Sequence, residues 1–314
     1  MLLRKEIKKI FFILLVGVFV VELKAQQLPQ YSNYMLNNYV LNPAVGGIDP
    51  YFIGVSTNRY QWAGITDAPR TYIMSVNGPT KSLKVGVGGT IYTDIVGPTR
   101  RTGFTLSYSY HLAVSKKIKL SLGLSGGITQ FKVDGSQIQL KDPSDLVITN
   151  GVQQVVAPDF GFGFHLYSAK KTWYIGGSIP QMFQSQIQFN QIQTSSSSTL
   201  ARHYILTAGY KLYITDNFKI EPSMCLQYVP PVPAQYNFGL RFIYKNKFWI
   251  GGLYRTQDAT SILMGYTTDK DIVFMYSYDF TTSALGKYSN GTNEVLIGII
   301  FNRKKSVNIS EKEN

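Results

Sequence analysis

Long segments with a two-residue period dominate the chain. In Phe104-Thr105-Leu106-Ser107-Tyr108-Ser109-Tyr110-His111-Leu112 every second residue is apolar or aromatic and its neighbours are polar. Leu120, Leu122 and Leu124 alternate with Ser121, Gly123 and Ser125, and Phe274, Tyr276, Tyr278 and Phe280 share one face opposite Ser277 and Asp279. Side chains on a strand point alternately to its two sides, so each segment has one apolar face and one polar or small face. In a soluble sandwich the apolar face points into a core. In a membrane barrel it points at lipid, around a polar lumen.

Segment length and the rhythm of the connections favour the barrel. The segments commonly run about 9–12 residues, against about five or six in soluble sheets. Tight polar connections near 79–83, 115–117, 169–171, 215–217, 245–246 and 268–270 alternate with longer ones at 60–69, 94–101, 131–156, 184–199, 229–235 and 282–292. Only 257–259 blurs the pattern. The expected fold is therefore all-β, a transmembrane antiparallel outer-membrane β-barrel of about fourteen strands spanning residues 51–302. Outer-membrane barrels place short turns in the periplasm and long loops outside. The first strand leads into a long loop, so both termini are expected to be periplasmic. Residues 26–50, rich in Asn, Gln and Tyr and without clean alternation, read as a periplasmic or lumenal lead-in. Residues 303–314 read as a charged periplasmic tail, and Ser195 to Ser198 as part of a low-complexity loop.

The first 25 residues read as a signal peptide. Arg4, Lys5, Lys8 and Lys9 precede the apolar run Ile10 to Val21, broken only by Gly17, and Ala25 offers a small residue for cleavage. No other stretch approaches the length of a membrane helix. If the mature chain sits in a membrane it must do so as a closed barrel, since an open sheet edge in lipid leaves backbone groups unsatisfied. Cys225 is the single cysteine, so no internal disulfide braces this exported chain. Of the net charge of +13, the signal segment contributes +3. The remainder is spread over turns and strand interiors without a nucleic-acid-binding signature. Lipopolysaccharide, outer-membrane lipid or an acidic partner surface is the more natural neighbour. Tyr and Trp, abundant among the 14% aromatic residues, suit the lipid–water interfaces of a barrel.

No catalytic set and no cofactor site emerges. There is no nucleophile elbow, phosphate loop or histidine-rich metal signature. The glycines at 86–89 and at 161 and 163 lie within strands, where Gly marks bends or close packing. Asp142 and Asp145 are weak metal candidates in an outer loop, which also reads as a solvated turn. His111, His203 and Asp279 are candidate polar residues of the lumen. Three clusters fall at loop ends on one expected side, around Arg59-Tyr60-Gln61-Trp62, Tyr254-Arg255-Thr256-Gln257-Asp258 and Asn293-Glu294. Arg59, Gln61, Trp62, Tyr254, Arg255, Asp258 and Glu294 are the candidate partner-binding residues, Arg, Trp and Tyr being frequent recognition anchors. Girdle aromatics and lumenal salt bridges are the alternative reading.

These residues also carry a resemblance. Gln30-Tyr31-Ser32-Asn33-Tyr34-Met35, Asn42-Pro43-Ala44-Val45-Gly46-Gly47, Arg59 with Gln61-Trp62 and Gly64, Pro158-Asp159-Phe160-Gly161, Arg202-His203-Tyr204, Tyr254-Arg255 with Asp258-Ala259, and Tyr276-Ser277-Tyr278-Asp279 occur in order along the mature chain. Together they resemble the PorP/SprF family of type IX secretion system membrane proteins of Bacteroidetes. Where the family often has a Gly-Ser-His-Glu-like stretch, this chain reads Gly291-Thr292-Asn293-Glu294. The resemblance implies a non-enzymatic outer-membrane barrel that helps secrete or anchor a large cell-surface adhesin of the gliding-motility type. It would hold the adhesin's C-terminal domain and contact periplasmic type IX components. A porin or transporter for small solutes is the rival expectation, separable by conductance.

Overall fold

The computed structural model describes residues 31–138, 151–187 and 198–302. The expected signal peptide, Asp142, Asp145, most of the serine tract and the charged tail lie outside them. Among the described residues, fourteen antiparallel strands close into one barrel. They are β1 (Phe52–Tyr60), β2 (Arg70–Pro79), β3 (Val85–Val96), β4 (Thr99–Ala113), β5 (Ile118–Asp134), β6 (Val152–Ser168) and β7 (Trp173–Ile179). The second half comprises β8 (Tyr204–Tyr210, continued by Leu212–Tyr213), β9 (Phe218–Val229), β10 (Val232–Tyr244), β11 (Phe248–Arg255), β12 (Ala259–Thr267), β13 (Ile272–Thr281) and β14 (Thr292–Phe301). Each strand pairs with its neighbours in sequence, and β1 closes on β14 with Phe52 opposite Phe301. No described helix is long and apolar enough to cross a membrane. The strands are the crossing elements, and closure pairs their backbone groups.

One end of the barrel, the turn rim, carries the connections 80–84, 114–117, 169–172, 214–217, 245–247 and 268–271. The opposite end, the loop rim, carries 61–69 and 282–291 and, among the described residues, 135–138, 180–187 and 198–203. Two expected long loops are instead strand: β3 and β4 run on to a Gly97-Pro98 tip, and β9 and β10 to Pro230-Pro231. β5 and β6 likewise extend well past the expected boundaries. On these extensions the outward face mixes Val152 and Val156 with Arg100 and Gln154, so the apolar stripe is broken and the alternation fades. The hydrogen-bonded ladder needs no apolar face and continues.

The period-2 pattern sorts as lipid-facing and lumenal. On β5, Leu122 and Leu124 face outward while Ser121 is buried inside. On β13, Phe274, Tyr276 and Phe280 face outward, whereas Met275, Ser277 and Asp279 are buried.

The interior departs from a purely polar lumen. Fourteen strands enclose more space than their own side chains fill, since about eight strands are already enough for a packed interior. Residues 31–51 fill it, lying along the lumen from the loop rim to the turn rim. Tyr31, Tyr34 and Leu41 of this segment pack with wall residues including Val55, Ile73, Trp249, Leu263 and Leu296 in an apolar core inside the barrel. A buried apolar surface at the lumen is stable here because the segment gives it something to be buried against.

Two strand glycines mark where the segment meets the wall. A Cβ at Gly123 would lie 2.3 Å from the Ala44 backbone N, and one at Gly86 would lie 2.1 Å from the Gly46 carbonyl oxygen. Barrel ends Phe52 and Phe301 share the turn rim. The lead-in, however, runs the height of the lumen, so Tyr31 and Ser32 sit at the opposite rim from Asn302.

Candidate functional site: the plugged lumen and its loop rim

The lumenal segment is tied to the wall mainly by asparagine and hydroxyl side chains. Asn33 donates to Thr57 Oγ1 (3.1 Å) and Asn37 to Ser75 Oγ (3.1 Å). Asn42 donates to the Phe164 and Gly177 carbonyls at 2.9 and 3.3 Å and accepts from the Ala44 N–H, capping the short turn Pro43–Val45. Tyr34 bonds with Ser223, Tyr39 with Ser107, and Ser109 and Ser178 donate to the Gly46 and Leu41 carbonyls. At the turn rim Asp49 pairs with Lys171 at 2.5 Å. An asparagine side chain offers two donors and an acceptor, so a short irregular segment can satisfy a polar wall without forming a strand. This is the physical meaning of an Asn- and Tyr-rich lead-in without alternation.

At the loop-rim end the segment inserts Ser32 into a cluster of buried charges. The β1–β14 register sets Arg59 opposite Glu294, and β13 brings Asp279 to the same lumenal face. Arg59 Nη1 lies 2.7 Å from Glu294 Oε2, and its Nη2 lies 2.9 Å from Asp279 Oδ2. Arg255, at the end of β11, pairs with Asp258 at 2.8 Å and donates from Nε to Asn237 Oδ1 at 2.9 Å. Ser32 Oγ accepts from both guanidiniums at 3.0 Å and donates to Asp279 Oδ2 at 2.8 Å, and its N–H donates to Glu294 Oε2 at 3.1 Å. Arg59, Arg255, Asp279 and Glu294 are each at most 2% exposed. Ionised groups so removed from water persist only when paired and hydrogen-bonded. The cluster is a clasp holding the head of the plug.

The remaining candidate residues separate by face. Tyr254 points outward to the lipid side, half exposed, while its neighbour Arg255 points in. Gln61 and Trp62 lie in the loop after β1, where the Trp62 N–H donates to Thr292 Oγ1 and the Ala63 N–H to the Gly291 carbonyl. These bonds join the first and last loops beside the clasp. Asp258 lies in the β11–β12 connection. With His203, Gln227, Val229, Pro233 and Gln257 it lines a cleft of about 220 Å³ at the loop rim. His203 and Gln227 also border a cavity of about 100 Å³ beside the plug, against Tyr31, Tyr39 and Tyr92. Burial pushes the His203 imidazole down to about 4, so it is neutral at physiological pH. His111 faces the lumen near the turn rim, on the same side of β4 as Ser109. Arg59, Arg255 and Glu294 are therefore engaged with one another inside the barrel. Gln61 and Trp62 are half-buried beside them, Asp258 is held by Arg255 at the edge of the cleft, and Gln257 is exposed.

Residues 23–299 match the family described as type IX secretion system membrane protein PorP/SprF. The chain belongs to the PorP/SprF family. As a family member with fourteen membrane-crossing strands, it is a multi-pass outer-membrane component of type IX secretion. No curated protein matches the sequence. Among solved structures, the CymD monoaromatic hydrocarbon channel superposes with a TM-score of 0.50 at 14% identity, over 84% of this chain and 91% of that one. The Ralstonia pickettii toluene transporter TbuX gives 0.48 at 11% identity over 82% and 91%. The Acinetobacter baumannii outer membrane protein Omp33 gives 0.48 at 7% over 81% and 100%. At such identities the likeness concerns the barrel fold alone.

Sequence reading missed the centre of this PorP/SprF site. Ser32 is one small polar residue in an irregular stretch, and nothing in its local pattern distinguishes it. Asn237 and the Glu221–Arg241 pair (2.6 Å) were also missed. Their signal was present as charged or amide residues on the polar face of an alternating strand.

Proposed function

We propose that this barrel is a plugged, non-enzymatic scaffold that helps secrete or anchor a large surface adhesin of the gliding-motility type. Its loop rim faces outward and holds the C-terminal domain of the cargo. The cleft beside Asp258 and the loop that begins at half-buried Gln61 and Trp62 and is exposed at Gly64, Thr66 and Asp67 offer the contact surface. Its turn rim faces the periplasm and meets the secretion machinery, and its outer face is bathed in lipid and lipopolysaccharide.

The observation that carries this reading is the plug. A segment hydrogen-bonded to the wall along the height of the lumen suits a docking platform better than a solute pore. Family membership supplies the secretion context. The rival, a porin, draws on the channel-like barrels it resembles in shape, and the filled lumen weighs against it.

The decisive experiment deletes the gene and follows surface display of a co-encoded adhesin alongside general type IX secretion. Loss of display with other substrates secreted normally supports the scaffold. Unchanged display sinks it for this protein. Planar-bilayer recordings of the purified barrel complement the test, since steady open-pore conductance would favour the porin.

A further inference from the structure

The charges of the barrel are segregated by height. In the half nearer the loop rim, eight basic residues meet seven acidic ones among the described residues. In the half nearer the turn rim, thirteen meet five. Lys81 with Lys84, Lys116 with Lys117, and Lys170 with Lys171 occupy the first three turns. Lys219, Lys245 and Lys270 mark the other three. Only Lys132 and Lys287, of fourteen described lysines, lie toward the loop rim. At the turn rim the carboxylates are Asp49, Asp216, Asp269 and Asp271, with Glu221 bound to Arg241 inside the lumen. Ion pairs such as Lys171–Asp49 and Lys247–Asp269 therefore leave a large positive excess.

The direction of these side chains narrows the partner. Lys119 and Lys219 lie on the lumenal face of their strands, in step with buried Ser121 and Glu221. Lys84 continues the β3 ladder, its carbonyl accepting from the His111 N–H at 2.7 Å, in step with lumenal Gly86. Lys171 reaches inward to the plug. These lysines stand on the lumenal side of the turn rim, facing the mouth of the barrel and away from the lipid face. The plug fills that mouth, so the collar suits a cap and not a passage.

We propose that the lysine collar is the docking surface for an acidic protein surface that caps the turn-rim mouth. This rests on the scaffold reading, in which that rim faces the periplasmic machinery. Crowded like charges raise the energy of the free barrel and steer an acidic partner toward it, an effect that fades as salt shortens the screening length below about 8 Å. Lysine, flexible and strongly hydrated, suits such a salt-tuned contact better than a fixed arginine fork.

The test uses the full-length barrel in nanodiscs of phosphatidylcholine alone, titrated with poly-glutamate as the acidic probe at rising salt. Salt-sensitive binding is expected. The triple variant Lys84→Glu/Lys119→Glu/Lys219→Glu should bind at least about tenfold more slowly, while Lys132→Glu/Lys287→Glu matches the wild type. A heat-dependent gel shift confirms that both variants are folded. Equal binding by the triple variant overturns the proposal. So does a collar that ignores poly-glutamate but enriches phosphatidylglycerol from mixed nanodiscs, which would make it a lipid site.

In cells, periplasmic type IX components should co-purify with the wild type at low salt and not with the triple variant. Cargo display in the gene deletion is scored separately. Display lost on deletion, with co-purification intact in the triple variant, refutes the collar and leaves the scaffold standing. Display kept on deletion, with charge-dependent co-purification, refutes the scaffold and leaves the collar.

Discussion

Arg59→Met tests the clasp at its most connected residue. Methionine keeps most of the aliphatic stem and removes the charge with its donors. In the native barrel Arg59 and Arg255 face Asp258, Asp279 and Glu294. After the change one guanidinium faces three carboxylates. Asp279 keeps Arg255 at 3.7 Å and the Ser32 hydroxyl. Glu294 Oε2 keeps only the Ser32 N–H, and its Oε1 has no partner even in the native structure. Removing one member of a buried pair costs about 3–5 kcal/mol, because the other charge stays buried without compensation. The shortage of remaining donors places this site at the upper end, about 4–5 kcal/mol. Urea titration of the liposome-folded barrel, read by fluorescence of Trp62, Trp173 and Trp249, measures the loss. Adding Glu294→Gln to Arg59→Met should recover about 1–3 kcal/mol, since a neutral amide is far cheaper to bury than a lone carboxylate. A loss under about 1 kcal/mol for Arg59→Met, or further destabilisation by Glu294→Gln, would refute the clasp.

Three further outcomes follow from the same structure. Gly123→Val places side-chain atoms where Ala44 lies and should loosen the plug from an otherwise closed barrel, seen as faster proteolysis within residues 31–50 and intermittent bilayer conductance. Leu124→Arg, on the lipid face near mid-height of β5, should cost about 2–4 kcal/mol in the urea titration, whereas a charge near the rim should cost at most about 1. Cys225, fully buried, should resist maleimide in the folded barrel and react only as urea unfolds it, and ready labelling of native protein would contradict its position in the lumenal core.

Much of the fold was legible because lipid enforces a simple rule. Wherever a strand crosses the membrane, one face must be apolar, and segments such as Phe104 to Leu112 show it directly. Legibility ended where lipid ended. The extensions of β3, β4, β5 and β6 mix apolar residues such as Val152 and Val156 with polar ones such as Arg100 and Gln154 on the outward face, so they read as loops although their ladders are complete. The clusters at Arg59, Arg255 and Glu294 were legible as a set at one rim, since strand direction and turn position alone put them there. Whether they face inward depends on the pleat. Arg59 and Arg255 lie in phase with lumenal Thr57 and Leu253, which the alternation allows one to read, and that phase favours lumenal salt bridges over an exposed docking patch.

The plug was the harder inference, and the reason is physical. A strand advertises itself by periodicity because its two faces meet different solvents. A segment enclosed by the barrel meets a wall on every side, apolar at Ile73 and Trp249, polar at Ser75 and Thr57. Its residues are therefore matched one by one to local partners, and no period survives. What remains is composition: asparagines that can bond in several directions, and tyrosines that fill volume while keeping a polar tip. The same enclosure explains why the wall facing it carries glycines at 86 and 123, where main chain meets main chain. Glycines on the lumenal face of a strand, beside an aperiodic Asn- and Tyr-rich segment ahead of the first strand, are thus a paired signal for an internal plug. Either alone says little, because lumenal glycine also serves bends and an Asn-rich stretch also serves turns.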